Sequence, residues 1–170
     1  VAPQEARALN LLGTIRASQG KLDAAETLFA RALRLEPQLI GAHMNLAYLY
    51  LLKGAPEKTI TELKAVLTLA PNHPEALYKL ARLLLSQDRA DDCINLVEPS
   101  PLAQSPAFLV LLGDAYLGKA DAERAEANFQ LAHNRQADAP DGLLGLAQVA
   151  ALRGDGKTAA LYLSRAKALL

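Results

Sequence analysis

The strongest constraint on this chain is a period. Three phrases that carry a proline, Val1-Ala-Pro3, Leu35-Glu-Pro37 and Leu69-Ala-Pro71, recur 34 residues apart. A Leu followed by a small residue returns as Leu12-Gly13, Leu46-Ala47, Leu80-Ala81, Leu112-Gly113 and Leu146-Ala147, at steps of 34, 34, 32 and 34. Self-similarity at a fixed step of this length marks a stack of small supersecondary units. No single unit can bury its own apolar face, so period outranks local propensity. Five units fill the chain at 6–39, 40–73, 74–105, 106–139 and 140–170, and residues 1–5 read as the tail of a preceding unit.

Within each unit apolar residues recur at three and four through one stretch, break, and recur through a second, which is the pattern of two amphipathic helices. The breaks fall at Gly20, Gly54, Asp88, Ala120 and Gly154. Pro74, Pro106 and Pro140 stand where a helix should start, the position at which a missing N–H costs nothing, and Ser105 is placed to cap the helix that follows it. No alternating β-branched run of strand length competes with this pattern. The expected fold is all-α, a right-handed solenoid of five stacked helix-turn-helix repeats.

Fixed columns run through the second helices: a small one at Ala25, Thr59, Cys93, Ala125 and Ala159, a bulky one at Phe29, Leu63, Val97, Phe129 and Leu163, and a later small one at Ala32, Val66, Ser100, Ala132 and Ala166. Small side chains let two helices approach to about 8–10 Å, and bulky ones fill the facing groove. Together with the Leu-small pairs, these columns resemble the tetratricopeptide repeat (TPR) family across the whole chain. Two positions depart from the family pattern. Arg16 stands where Tyr is usual, as Tyr50 and Tyr116 do, and His43 where Trp or Leu is usual; each is expected to be an edge or capping accommodation.

The third unit is irregular. Its second helix should open near Ala90 and stop near Glu98, because Pro99 and Pro101 cannot continue it, and residues 98–106 should form a loop. One reading is a tolerated two-residue deletion, and the other a bend that leaves apolar surface open to a partner. The chain starts on Val1 and ends on Leu169-Leu170 in mid-repeat without a polar capping helix, as expected of a piece cut from a longer array.

Composition narrows the function classes. With 18 basic and 18 acidic residues the net charge is zero, which argues against nucleic acid as the main ligand, since phosphate neutralisation needs clustered Lys and Arg. One Cys makes no internal disulfide, and no apolar run approaches the roughly 20 residues of a membrane span. No catalytic constellation, metal site or cofactor motif is expected. Gly156-Lys157-Thr158 lacks the strand and the first Gly of a phosphate-binding loop, Arg153-Gly154-Asp155 is ordinary turn chemistry, and His43, His73 and His133 lie on separate units. Cys93 sits in a small-residue column and reads as a buried small hydrophobe.

What remains is a surface. The resemblance implies that the first helix of each pair lines a concave side that takes extended peptides or partner helices. The residues assigned to that groove are Asn10, Met44, Asn45, Tyr48, Leu51, Tyr78, Lys79, Arg82, Leu85, Val110 and Asp114. TPR domains that hold the C-terminal carboxylate of heat-shock chaperones need Lys, Asn and Arg at set places. Here those places hold Asn10, Thr14, Asn45, Glu75 and Lys79, and Glu75 reverses the charge required, so that ligand is not expected. The expected function is a non-catalytic module or scaffold that binds a peptide or helix of another protein. The alternative is a spacer or a segment that self-associates through its terminal repeats.

Overall fold

The computed structural model describes residues 2–170, and among them it contains ten α-helices and no strand. The chain divides into two compact units, residues 1–80 and 81–170. The first holds α1 (Ala2–Ser18), α2 (Leu22–Leu35), α3 (Ile40–Leu52), α4 (Pro56–Leu69) and the opening turns of α5 (Pro74–Ser86). The second holds the end of α5 followed by α6 (Ala90–Val97), α7 (Pro106–Gly118), α8 (Ala122–Arg135), α9 (Asp141–Leu152) and α10 (Gly156–Lys167). Residues 2–5 lie in the first turn of α1, where Pro3 is harmless because a first-turn residue has no intrahelical N–H bond to lose.

Each helix pair turns through the same device. The residue at the break has positive φ in all five turns: Gly20 (+74°), Gly54 (+65°), Asp88 (+58°), Ala120 (+58°) and Gly154 (+76°). The next N–H reaches back five residues in every case: Lys21 to Arg16 O, Ala55 to Tyr50 O, Arg89 to Leu84 O, Asp121 to Tyr116 O and Asp155 to Ala150 O, at 2.9–3.0 Å. This is the left-handed helix stop that satisfies the last carbonyls. It explains why the break tolerates Gly freely, and why Asp88 and Ala120 carry local strain.

The columns fold as their sizes dictate. In the first unit Phe29 and Ala25 pack with Leu46 and Leu49 of α3, and Leu22, Leu33 and Tyr50 close around them. In the second unit the ring of Phe129 lies in a slot between Gly113 of α7 and Gly145 of α9. A methyl group built on either glycine would meet the ring at 2.5 and 2.2 Å, respectively. The bulky column is buried at Phe29, Leu63, Val97 and Phe129, whereas Leu163 on α10 is 51% exposed.

Polar contacts repeat with the same register. In three of the turns the residue just before the left-handed one reaches back to an acid on the second helix of the preceding pair. Lys53 binds Asp23 at 2.6 Å and Glu26 at 2.5 Å, Arg153 binds Glu126 at 2.6 Å, and Lys119 binds Asp91. Tyr50 donates to Glu26 at 3.0 Å, and Tyr116 donates to Glu98. His43 is held between Glu62 of α4 (2.6 Å) and the carbonyl of Pro37 (3.0 Å), so this departure from the family pattern ties α3 to α4 and to the loop before it. Arg16 contacts only its local neighbour Gln19 among the contacts described.

Helix α6 stops at Val97, and residues 98–105 wind through three successive turns: Ser100 to Val97 O, Ala103 to Ser100 O and Ser105 to Leu102 O. Ala103 is buried in this segment, and Arg135 from α8 donates to the carbonyl of Gln104 at 2.6 Å. Phe108, Leu109, Leu111 and Leu112 at the start of α7 are all buried. Ser105 does stand at the N-cap, but its hydroxyl donates back to Leu102 O and does not cap α7.

Candidate functional site

The first helices of the pairs carry the residues of interest, and the two units present them separately. In the first unit Asn45 of α3 donates to Asn10 Oδ1 at 2.9 Å and lies 3.3 Å from Thr14 Oγ1, which joins α3 to α1 through a row of amides and a hydroxyl. One turn further along α3, Tyr48 is 36% exposed. Its hydroxyl donates to the carboxylate of Glu75 at the start of α5, and Lys79, one turn along α5, stands over its ring at 4.4 Å. Lys79 Nζ is also 3.9 Å from Glu75. Burial first, then the bond to Glu75 and its charge, push the Tyr48 phenol up to about 12. The ring is therefore a neutral donor, fixed in orientation before any ligand arrives.

Leu51 lies next to this cluster in sequence and is 50% exposed. Tyr78 is half-buried. Met44 is only 7% exposed and belongs to the interior, so its thioether is not offered on the surface. Helical spacing selects a stripe of positions but does not by itself fix how deeply each is buried.

In the second unit the end of α5, the turn after it and α7 enclose an open recess of about 400 Å³. Arg82 and Leu85 line it from α5, Asp88 and Ala90 from the turn and the start of α6, and Leu111, Asp114 and Gly118 from α7. Three of the sequence-assigned residues, Arg82, Leu85 and Asp114, thus meet at one place, and Val110 of α7 is half-buried outside this lining. Part of Asp114 is open to solvent, yet its carboxyl is pushed up to about 6, first by burial, then by the like charge of Asp141, with Arg82 opposing. Asp88, Leu111 and Gly118 were missed by the sequence reading. In the sequence Asp88 marks a break, and it is the one charged residue where the other turns have Gly or Ala.

The residues that looked chemical in the sequence have structural work instead. Asp155 caps α10 by accepting from the N–H of Thr158 at 3.0 Å and from its hydroxyl at 2.7 Å. Arg153, Gly154 and Asp155 thereby serve as ion-pair partner, left-handed turn residue and helix cap. Cys93 is fully buried, and burial with the charge of Asp114 pushes its thiol up to about 11, far from a reactive thiolate. His73 accepts from the N–H of Ala76 at 3.2 Å. Among the described residues no three His, Cys, Asp or Glu side chains converge to hold a metal ion, and no helix is long and apolar enough to cross a membrane.

Helix pairs with a repeating turn and a repeating core column define an all-α helical-repeat solenoid. Two family models described as tetratricopeptide repeat match residues 1–40 and 50–107, together more than half of the sequence, and the chain belongs to that family. Solved structures agree on the fold. MamA residues 41 to the end from Desulfovibrio magneticus RS-1 is 21% identical, with a TM-score of 0.84, covering 97% of this chain and 94% of that one. PilF of Pseudomonas aeruginosa is 17% identical, with a TM-score of 0.77, covering 99% of this chain and 78% of that one. YrrB, described as a TPR protein with an unusual peptide-binding site, is 13% identical, with a TM-score of 0.75, covering 95% of this chain and 84% of that one. Proteins of this family and fold are in general interaction scaffolds.

Proposed function

We propose that the chain is a non-catalytic module that holds an extended segment or helix of a partner protein on the face made by its first helices. The observation that carries this reading is the preset cluster at Tyr48. An aromatic ring, a carboxylate and an ammonium group are locked together beside the exposed Leu51 and the Asn10-Asn45 amide pair. Rigid aromatic anchors beside satisfied polar groups lose little entropy on binding, so a short peptide with two or three anchors could reach micromolar affinity, about −8 kcal/mol. The peptide-binding site ascribed to the similar YrrB supports the same reading. A C-terminal carboxylate is disfavoured as the ligand, because Asn10, Thr14 and Asn45 already bond to one another and Glu75 adds negative charge.

The test is selection of displayed peptides on the immobilised chain, followed by rescreening on a Tyr48→Ala, Leu51→Glu variant whose helicity matches wild type. Peptides that bind wild type and lose the variant support the proposal. A selection that yields none, or peptides indifferent to the variant, refutes it. A second reading, self-association, is favoured by a specific observation: Leu11, Leu12 and Ile15 of α1 and Leu161 and Leu163 of α10 are all substantially exposed. It predicts concentration-dependent mass in sedimentation, abolished by Ile15→Glu or Leu163→Glu.

A further inference from the structure

We infer that one copy of this chain docks on a second copy through two unlike faces, α10 of one against α1 of the other. The pairing rests on the self-association reading and goes beyond it by naming which surfaces meet. On α1, Ala8, Leu12 and Ile15 lie at helical spacing on a single apolar stripe, and all three are exposed. Leu12 is 40% exposed, whereas Leu46, Leu80, Leu112 and Leu146, which hold the same place in the other four units, are at most 4% exposed. Ala42 and Leu49, the counterparts of Ala8 and Ile15 on α3, are buried as well. On α10 the column breaks at Leu163, which is open although Phe29, Leu63, Val97 and Phe129 are buried.

The same columns inside each compact unit show what covers them. In the first unit Phe29 of α2 packs with Leu46 and Leu49 of α3. In the second, the ring of Phe129 on α8 meets α9 at Gly145. The bulky column of a second helix is thus closed by the stripe of the first helix that follows it. Leu163 stands at the place of Phe29, and Leu12 and Ile15 stand at the places of Leu46 and Leu49. Each open face is therefore the counterpart of what the other lacks, and a second copy supplies it in a head-to-tail contact. Apolar side chains left in water on both faces supply the driving force. The polar clamps of the interior junctions are missing from this one. Lys53 and Tyr50 reach Asp23 and Glu26, but Gln19 and Arg16 hold the places of the first two, and Lys157 and Ala160 those of the acids. The contact is apolar, and salt does not weaken it.

The test is sedimentation of the 170-residue chain over a range of concentrations, in dilute buffer and in about 1 M salt. Wild type should form larger species whose share grows with concentration in both. Leu12→Glu and Leu163→Glu, at exposed positions where helicity should be kept, should each be monomeric alone. Mixed one to one they should give a dimer, because the first variant keeps its α10 face and the second its α1 face. Ile15→Glu replaces Leu12→Glu should that variant lose helicity. Ala160→Glu restores an acid at the place of Glu26, opposite Arg16, and should tighten association about two- to fivefold in dilute buffer, a gain lost in salt. A wild type that stays monomeric throughout removes both this pairing and the self-association reading. If wild type associates but the mixture stays monomeric, or either variant still associates alone, the unlike pairing is wrong and self-association stands. Wild-type association lost in salt, or loosened by Ala160→Glu, also overturns the pairing.

Discussion

Replacing Gly145 by Ala tests the packing logic of the repeat most sharply. In a helix the change should help by about 0.5–1 kcal/mol, because Ala loses less backbone entropy. Here the added methyl meets Phe129 Cδ1 at 2.2 Å and Cγ at 2.4 Å, where an ordinary contact is over 3.4 Å. The ring is completely buried and cannot back away, since the far side of its slot is Gly113, whose own Cβ position is 2.5 Å from the ring. Overpacking of this kind costs about 1–3 kcal/mol, and with the ring held between two glycine backbones the upper end applies, leaving a net loss of about 2 kcal/mol. Urea titration followed by circular dichroism at 222 nm reads this as a fall in midpoint of about 1 M for a slope near 2 kcal/mol/M. The same substitution in a Phe129→Leu background should lose its penalty and become neutral or stabilising, because the flat ring is gone. Gly142→Ala serves as the control: its methyl would strike the backbone at His133 N (2.8 Å) and Phe129 O (2.9 Å), so it should destabilise in both backgrounds. A Gly145→Ala that is neutral with Phe129 present, or equally harmful without it, refutes the slot.

The left-handed turns give a paired prediction. Ala120→Gly should raise stability by about 1 kcal/mol and Gly54→Ala should lower it by a similar amount, both measurable as shifts in thermal midpoint. Asp114 gives a pH dependence whose sign is fixed by its raised pKa. Between about pH 4 and 6 the folded chain holds a proton that the unfolded chain has lost, so wild-type stability falls as pH rises through that window. Asp114→Asn should therefore be more stable than wild type at pH 7, by about 1 kcal/mol once solvent screening of a partly open group is allowed for, and the difference should vanish by about pH 4. Lys53→Met should lower the melting temperature slightly in dilute buffer, and 1 M salt should erase the difference, since Asp23 lies in full solvent and the pair is screened.

The repeat made much of the fold readable. A 34-residue step and a Leu-small column are backbone-level demands, so the helix starts at Ile40, Pro74 and Pro106 and the stop of α6 before Pro99 follow from chain chemistry alone. The shared left-handed turn was visible only as a break, because Asp88 and Ala120 hide what Gly20, Gly54 and Gly154 announce. Pro3 is ambiguous on sequence grounds, since the same residue type closes one repeat and is tolerated in the first turn of a helix. The face was less legible than the fold. Helical spacing selects a stripe but not the depth at which each of its residues sits, and Met44 lies inside at 7% exposed. The recess needed Asp88, a turn residue, beside Leu111 and Asp114, residues of α7, and no single-helix pattern links those positions.

The most direct measurement is chemical-shift mapping of the 15N-labelled chain with a peptide taken from the display selection. Saturable shifts concentrated at Asn45, Tyr48, Leu51 and Lys79 are the expected result. Shifts confined to the second helices α2, α4, α6 and α8, or to the exposed leucines of α1 and α10, would contradict a ligand-holding first-helix face.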